Sequence, residues 1–261
     1  MNAASTRACV MHRLVGAGMA EIVIDRPERH NAMTLPMYEE FLRIAGILQA
    51  DASVRCILVR GAGGKSFVAG TDIDHFRDFT SGTQGIAYEA MIEQVIDAVE
   101  RIPVPTVAVI DGWAAGGGLA LATACDFRVC SDTSRFGAPI ARTLSNTLSA
   151  RNLARLIAAF GVPRVKKMLL LADHLDAPEA LSCGYIYAVS TKDELEAATI
   201  ALARRLASLS PVTQHAIKES MRRVVMEHQL VDDDLVEQVY GSQSFRDAVA
   251  AFGSKSNTAR R

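Results

Sequence analysis

The chain has 261 residues, of which 49% are hydrophobic, and its formal net charge at pH 7 is −1. This length and composition predict a globular protein with a sizeable core. The near-zero charge argues against a broad surface for nucleic acids or anionic membranes, so we expect neither as a partner.

The cysteines exclude two further classes of protein. There are five, at positions 9, 56, 125, 130 and 183, and no two of them form a Cys-x-x-Cys pair. An odd number without paired spacing predicts neither a disulfide framework nor a zinc site, and we expect no metal. The first residues also lack the charged-then-apolar order of a signal peptide, so the sequence predicts a cytoplasmic protein.

Short β-rich segments alternate with helical patterns along most of the chain, which is typical of an α/β fold. Strands are predicted over residues 20–24, 56–60, 106–110, 127–130 and 186–190. Helices are predicted between them over residues 36–49, 87–101, 119–125 and 150–160. Only helical patterns follow, over residues 194–209, 212–229, 232–241 and 245–252. We therefore expect an α/β core over residues 1–192 and a helical region over residues 193–261.

Two glycine-anchored turns carry the strongest chemical signal. Residues 67–73 read Phe-Val-Ala-Gly-Thr-Asp-Ile, and residues 111–118 read Asp-Gly-Trp-Ala-Ala-Gly-Gly-Gly. Each turn follows a β-rich stretch and opens a helix, where backbone N–H groups lack partners within the helix. Two such N–H groups pointing at one oxygen stabilise that oxygen as it gains negative charge. The pattern therefore predicts an oxyanion hole.

These turns resemble two signatures of the crotonase, or enoyl-CoA hydratase/isomerase, superfamily. Residues 67–73 are similar to its F-x-A-G-x-D-I signature, and residues 111–118 to its G-x-A-x-G-G-G segment. Four further segments match the family in the right order, namely residues 25–33, 125–126, 177–185 and 248–255. The resemblance extends over about residues 21–255, nearly the whole chain.

The resemblance implies a fold, a substrate class and an assembly. The fold is a crotonase/ClpP-like spiral of β-β-α units with a C-terminal helical trimerisation region. The substrate is an acyl-CoA thioester, and no cofactor is needed beyond the coenzyme A that the substrate carries. The implied assembly is a homotrimer or a hexamer made of two trimers.

The resemblance also implies roles for particular residues. The backbone N–H groups of Thr71 and Gly117 correspond to the oxyanion hole, and the Ala69 carbonyl to an adenine contact. Residues 71–74, which are Thr71, Asp72, Ile73 and Asp74, are expected along the acyl and pantetheine portion. Arg29 and Lys255 are candidates for phosphate contacts. An exposed loop arginine without a ligand is an equally good interpretation of Arg29.

The resemblance fails at the positions that matter for hydration. Typical hydratases carry one glutamate two residues after the three glycines and another about twenty residues later. Ala120 and Ile140 occupy those positions here. Neither side chain can take up a proton, so ordinary hydration by two glutamates is not predicted.

The segment after Ile140 is polar where typical members are rich in glycine. Arg142, Ser145 and Asn146 are candidates for the acyl pocket, together with Ile140 itself and His75. The alternative is a local role, in which Asn146 or Ser149 caps the helix that follows. For His75 the alternative is a histidine on a helix surface.

Three functions remain open from the sequence. The first is an enzyme that stabilises an acyl-CoA enolate during hydration with an unusual base or during isomerisation. The second is an acyl-CoA decarboxylase, because loss of CO2 generates the enolate without a general base. The third is an inactive acyl-CoA-binding or scaffold protein. The two retained turns favour an enzyme, and the missing glutamates favour the binding protein.

Overall fold

Two β-sheets form the framework of the computed structural model, which describes residues 9–16 and 18–258 and, among these, the side chains up to residue 251. The larger sheet has the strand order β1 (Cys9–Gly16), β2 (Met19–Asp25), β3 (Cys56–Gly61), β5 (Thr106–Ile110), β7 (Phe127–Ser131) and β10 (Ala188–Ser190). The smaller has the order β4 (Ser66–Val68), β6 (Trp113–Ala115), β8 (Arg135–Gly137) and β9 (Leu175–Asp176). Pairing is parallel except between β1 and β2 and between β8 and β9.

The strands and helices repeat in β-β-α units. β3 and β4 precede α2 (Gly82–Glu100), β5 and β6 precede α3 (Gly117–Ala124), and β7 and β8 precede α4 (Ala150–Leu170). In each unit the first strand joins the larger sheet and the second joins the smaller one. Before these units, α1 (Leu35–Ala50) follows β2. The prediction of an α/β fold built from β-β-α units is therefore confirmed.

The larger sheet is buried on both faces. Ile57 and Val59 of β3 point into the main core with α1, α2 and α3, whereas Cys56 and Leu58 point to the opposite face. This alternation follows from the two-residue period of a strand. The opposite face is covered by α6 (Leu195–Ala207) through its apolar side. The first helix of the predicted helical region thus packs directly on the sheet, while the proposed division at residue 192 stays a prediction.

Helices complete the described chain after β10. After α6 they are α7 (Pro211–Arg222), a π-turn at Arg223–Glu227, α8 (Asp233–Tyr240) and α9 (Gln243–Thr258). The short α5 (Ala177–Ser182) lies earlier, between β9 and β10. Lys218 of α7 contacts Asp126 at 2.7 Å, and Asp126 accepts hydrogen bonds from the Thr106 N–H and hydroxyl. Asp126 therefore ties α7 to the sheet. None of the helices in the described chain is long and apolar enough to cross a membrane.

The start of α3 lies unusually close to β4. A Cβ atom added at Gly118 would lie 1.9 Å from the backbone oxygen of Val68, which no side-chain movement can relieve. We expect Gly118→Ala to lower the free energy of unfolding by roughly 3 kcal/mol or more, because the helix must move away from the strand. Urea unfolding followed by circular dichroism measures this change.

Gly46 provides the matched control. It lies exposed within α1, and no atom stands within 4 Å of an added Cβ. Gly46→Ala should therefore raise the free energy of unfolding by about 0.5–1 kcal/mol through helix propensity. Equal effects of the two substitutions would contradict the close approach of α3 to β4.

An ionic cluster at the end of α7 predicts a specific dependence of stability on pH. Glu219 accepts hydrogen bonds from Arg222 at 2.7 and 2.8 Å and from Arg223 at 2.9 Å. The hydrogen bond from Arg222 is the largest influence on the pKa of Glu219 and lowers it, and Arg223 lowers it further. Partial burial acts in the opposite direction, and the resulting pKa is about 2. The ionised carboxylate therefore stabilises the fold above the unfolded-state pKa, and this contribution is lost as the pH falls from about 5 towards 2.

We expect Glu219→Gln to cost roughly 1–2 kcal/mol of unfolding free energy at pH 7, after allowance for solvent screening, and much less at pH 3. Glu237→Gln, at an exposed position on α8, controls for the loss of one surface charge. Urea unfolding at pH 7, 5 and 3 gives the difference from wild type. A difference for Glu219→Gln that stays constant over this range would refute the assignment.

Candidate active site

In the first glycine turn, the N–H of Thr71 points away from Met33, the residue with which Thr71 pairs. Met33 and Thr71 form a parallel bridge, in which Met33 N–H donates to the Gly70 oxygen at 2.8 Å and Asp72 N–H donates to the Met33 oxygen at 2.9 Å. Successive N–H groups of an extended chain point to opposite sides. Thr71 N–H therefore points away from Met33. Gly70 has a φ of +104°, a conformation that favours glycine.

The second glycine turn brings the backbone amide of Gly117 close to that of Thr71, and these two groups are the paired amides of the candidate site. Gly117 is the first residue of α3, so its N–H has no acceptor within the helix. Gly116 before it has a φ of 52° and a ψ of −121°, which requires glycine. A Cβ atom added at Gly117 would lie 3.9 Å from Thr71 N, and one added at Gly70 would lie 3.4 Å from Gly117 N. The two predicted turns are thus packed against each other.

A chain of three hydroxyl groups runs through the side chain of Thr71. The Thr71 hydroxyl lies 2.8 Å from the Tyr38 hydroxyl and 2.7 Å from the Tyr88 hydroxyl. Tyr38 comes from α1 and is buried, and Tyr88 comes from α2 and is half-buried. Burial raises the pKa of Tyr38 well above its usual range, and Tyr88 adds to the effect. Burial also raises the pKa of Tyr88 to about 12, so both phenols stay neutral near pH 7.

The two tyrosines were not among the residues predicted from the sequence. Tyr38 follows the apolar face of a helix and has the same spacing as core residues such as Phe41. The one available signal was Thr71 itself, since small residues are usual at that position in the resembling family. A hydroxyl at Thr71 requires a polar partner once it is buried.

His75 belongs to an aromatic cluster beside Thr71. Its ring lies 5.3 Å from the ring of Phe76, 5.2 Å from that of Phe79 and 5.6 Å from that of Tyr88. Phe76 and Tyr88 also contact each other edge to face at 4.8 Å. Because Tyr88 bonds to Thr71, this cluster forms a wall next to the paired amides. The role of His75 in the acyl pocket stays a prediction, and the residues around its ring are aromatic.

The acidic residues of the first turn already have partners. Asp72 contacts Arg26 at 2.5 Å and accepts a hydrogen bond from Asp74 N–H at 3.1 Å. Asp74 is exposed and contacts Arg77 at 2.7 Å. Ile73 between them is 58% exposed. These contacts engage both carboxylates, whereas the exposed Ile73 side chain is open to an apolar ligand.

The positions expected for catalytic glutamates have no acid. Ala120 lies in the first turns of α3 and is buried, and Ile140 is half-buried where the turn after β8 begins. Ile140 and Asn146 line a cavity of about 420 Å³ that continues along apolar residues of α4. Within the described chain its lining does not include Thr71 or Gly117. This cavity therefore lies on the α4 side of the loop, apart from the paired amides.

The loop after Ile140 is closed by its own backbone hydrogen bonds, from Thr143 N–H to the Pro139 oxygen and from Ser145 N–H to the Ile140 oxygen. Arg142, Ser145 and Asn146 are all exposed, and Ser145 has a φ of 53°. Ser149 caps α4 by accepting the Asn152 N–H at 3.1 Å, which confirms the capping alternative for Ser149. The predicted contact of Arg142, Ser145 and Asn146 with an acyl group stays a prediction.

A carboxylate that the sequence did not indicate lies at this cap. Glu89 of α2 accepts the Ser149 N–H at 2.8 Å and follows Tyr88 in the chain. Burial is the largest influence and raises the pKa of Glu89, and the neighbouring charge of Glu93 adds to it. A periodicity analysis treats such a residue as part of a helix surface. Only the packing of α4 against α2 reveals its burial.

Ala69 and Arg29, two of the residues predicted to hold coenzyme A, lie at the edge of the first turn. Ala69 N–H donates to the His30 oxygen at 3.1 Å, which joins this turn to the loop that contains Arg29. Arg29 is exposed at the end of the short helix Pro27–Arg29. The side chain of Lys255 lies outside the described residues, so its role stays a prediction.

Comparison with known proteins identifies the family that this chain resembles. The family model described as enoyl-CoA hydratase/isomerase matches residues 15–257. The "Probable enoyl-CoA hydratase EchA17" of Mycobacterium tuberculosis is 35% identical over 209 residues, which cover 80% of this chain and 78% of the relative. The short-chain-enoyl-CoA hydratase of Clostridium acetobutylicum is 28% identical over 241 residues, covering 91% and 92%.

A solved structure agrees over most of the chain. An enoyl-CoA hydratase/carnithine racemase from Magnetospirillum magneticum superposes with a TM-score of 0.84 at 29% identity, covering 92% of this chain and 91% of the other. The family model's match over residues 15–257 extends from β1 into the C-terminal helices, in keeping with the ordered motifs of the sequence. The chain therefore belongs to the enoyl-CoA hydratase/isomerase family.

Proposed function

We propose that this protein is an enzyme that acts on an acyl-CoA thioester by stabilising its enolate. The thioester oxygen accepts hydrogen bonds from the N–H groups of Thr71 and Gly117. The observation that carries this proposal is the packing of the two turns, in which a Cβ on Gly117 would be 3.9 Å from Thr71 N. Donors fixed before the reaction need no reorganisation as negative charge develops, which is the largest single contribution in many such sites.

The remaining ligand contacts follow from the family. The Ala69 carbonyl accepts a hydrogen bond from the adenine, residues 71–74 border the pantetheine and acyl groups, and Arg29 and Lys255 contact phosphates. Coenzyme A arrives as part of the substrate, and no other cofactor is required. The aromatic wall formed by His75, Phe76, Phe79 and Tyr88 borders the acyl group.

Decarboxylation is the second candidate reaction, and a specific observation favours it. Ala120 is buried and Ile140 is half-buried at the positions where two carboxylates would hold a water molecule. Loss of CO2 from a carboxyacyl thioester leaves the same enolate and needs only a later proton donor. Isomerisation requires removal of a proton, so it depends on a base elsewhere in the site.

Turnover of a panel of acyl-CoA thioesters tests the proposal. The panel contains crotonyl-CoA, a 3-enoyl-CoA and malonyl- and methylmalonyl-CoA, with products separated by liquid chromatography. We expect turnover of at least one thioester and tighter binding of thioesters than of free coenzyme A. Binding without turnover of any of them would favour the inactive binding protein, and no binding would contradict the proposal altogether.

We also infer that the C-terminal helices join three copies of the chain. Large apolar side chains are exposed along α7, α8 and their connections, namely Leu209, Ile217, Met221, Leu230, Val231, Val236 and Tyr240. Monomeric proteins rarely expose large contiguous apolar patches, so exposed apolar side chains concentrated in these helices support an interface between copies. Light scattering at micromolar concentration should give the mass of a trimer or of two trimers. The mass of a monomer would contradict this assembly.

A further inference from the structure

We propose that the Tyr38 hydroxyl is a third hydrogen-bond donor to the thioester oxygen, and that Thr71 and Tyr88 position it. The inference rests on the proposed function and adds a catalytic side chain to the two backbone amides. It assigns a role to a hydroxyl chain that runs from the half-buried Tyr88 through Thr71 to the buried Tyr38.

The position of the Tyr38 hydroxyl is the first argument. It lies 2.8 Å from the Thr71 hydroxyl and 3.2 Å from the place where a Cβ on Gly117 would stand. It is therefore bonded to the side chain of Thr71 and lies close to Gly117, the two residues whose amides form the proposed oxyanion hole. A hydroxyl placed beside both residues is at the end of the chain from which it can reach an oxygen bound between their amides.

The count of protons is the second argument. Three hydroxyl groups carry three protons, and the two hydrogen bonds that join them use only two. One hydroxyl therefore retains an O–H for another acceptor, and it is the Thr71 hydroxyl only when both tyrosines donate to it. When Tyr88 donates to Thr71 and Thr71 donates to Tyr38, the remaining O–H belongs to Tyr38. A thioester oxygen that gains negative charge selects this direction, because charge-assisted hydrogen bonds are stronger than neutral ones.

The protonation state of the phenols is the third argument. Burial raises the pKa of Tyr38 above its usual range and the pKa of Tyr88 to about 12. Both hydroxyls therefore keep their protons near neutral pH, as a donor must. No proton needs to leave the chain in this role, since each O–H bond stays intact while the enolate forms.

The test separates polarisation of the thioester from binding. 2,4-Hexadienoyl-CoA is a conjugated thioester whose absorbance shifts to longer wavelength when its carbonyl is polarised. We expect wild-type protein to produce this red shift and Tyr38→Phe to bind the probe while producing a smaller shift. With the thioester that is turned over, Tyr38→Phe should lower kcat on the order of 10²-fold and leave KM within a few-fold.

Substitutions at Thr71 and Tyr88 test the positioning role. Thr71→Val keeps the shape and the backbone N–H but removes the hydroxyl, so it should reduce both the red shift and kcat. Thr71→Ser restores the hydroxyl and should restore both. Tyr88→Phe should have a smaller effect than Tyr38→Phe. A larger effect of Tyr88→Phe would overturn the assignment of Tyr38 as the donor.

Tyr185→Phe is the matched control for the loss of a buried hydroxyl. Tyr185 is 2% exposed, and its hydroxyl lies 3.1 Å from that of Thr123. Tyr185→Phe should leave the red shift and kcat unchanged. If wild-type protein gives the red shift and both Tyr38→Phe and Thr71→Val retain it in full, this inference is overturned while the proposed function stands. Absence of any red shift with wild-type protein would contradict the proposed function itself. Thr71→Val decides the question if Tyr38→Phe does not fold.

Discussion

Gly117→Pro is expected to reduce kcat/KM by at least about 10²–10³-fold with any acyl-CoA substrate. Gly117 is the first residue of α3, where proline fits the helix because the N–H there has no acceptor within it. The substitution therefore removes a donor from the oxyanion hole and retains the helix. Steady-state kinetics with the best substrate of the panel measures the loss, and thermal unfolding establishes that the variant is folded.

Gly117→Ala separates the loss of the donor from the addition of side-chain atoms. Its Cβ would lie 3.2 Å from the Tyr38 hydroxyl, so the tyrosine must shift by a few tenths of an ångström. The N–H remains in this variant, and we expect it to keep most of the activity that the proline variant loses. A folded Gly117→Pro enzyme with wild-type kcat/KM would refute the role of Gly117 as a donor.

The central α/β pattern could be predicted because its strands are long and buried. The strands β2, β3, β5 and β7 were expected to within about two residues, and burial on both faces explains their nearly continuous apolar sequences. The short, half-buried β10 was also expected to within two residues, at the end of a predicted strand over residues 186–190. β1 was missed because most of its residues are at least partly exposed at the edge of the sheet. The strands of the smaller sheet were missed because each has at most three residues, too few to show a period.

The site could be predicted only where the backbone carries the chemistry. The glycines at 70 and 116 are visible in the sequence because their conformations exclude other residues. The β-β-α repeat was predicted only through the family resemblance, since its units share a geometry and not a sequence. Tyr38 and Glu89 depend on how α1 and α2 pack, and their spacing matches an ordinary core or surface position. The contacts of Tyr38 with Thr71, 33 residues away, follow from tertiary structure alone.

The second large effect concerns hydration of crotonyl-CoA. We expect wild-type turnover to be slower than that of a hydratase with two glutamates, because a positioned acid or base contributes typically about 10²–10⁴-fold. Ala120 lies three residues after Gly117 on α3, so both face the same side of the helix. A longer side chain at position 120 leans towards the start of the helix, where the paired amides lie. Ile140 contributes only a half-buried apolar side chain.

The double variant Ala120→Glu with Ile140→Glu should therefore raise the rate of hydration above wild type. Its matched control is Ala120→Gln with Ile140→Gln, which adds side chains of the same size that cannot carry a proton. A carboxylate at the buried position 120 costs stability, so thermal unfolding must accompany the kinetics of both variants. The helix N-terminus offsets part of this cost for an anion near Gly117.

The outcome of this comparison decides where the proton is handled. Faster hydration by the glutamate pair, with no gain from the glutamine pair, would show that Ala120 and Ile140 are what limits the wild-type reaction. Efficient hydration by wild-type protein would instead show that another group acts as the base. Asp74 and His75 would then be the first residues to replace. Asp74 already contacts Arg77 at 2.7 Å, and His75 is packed against three aromatic rings, so either would have to give up its present contacts to act.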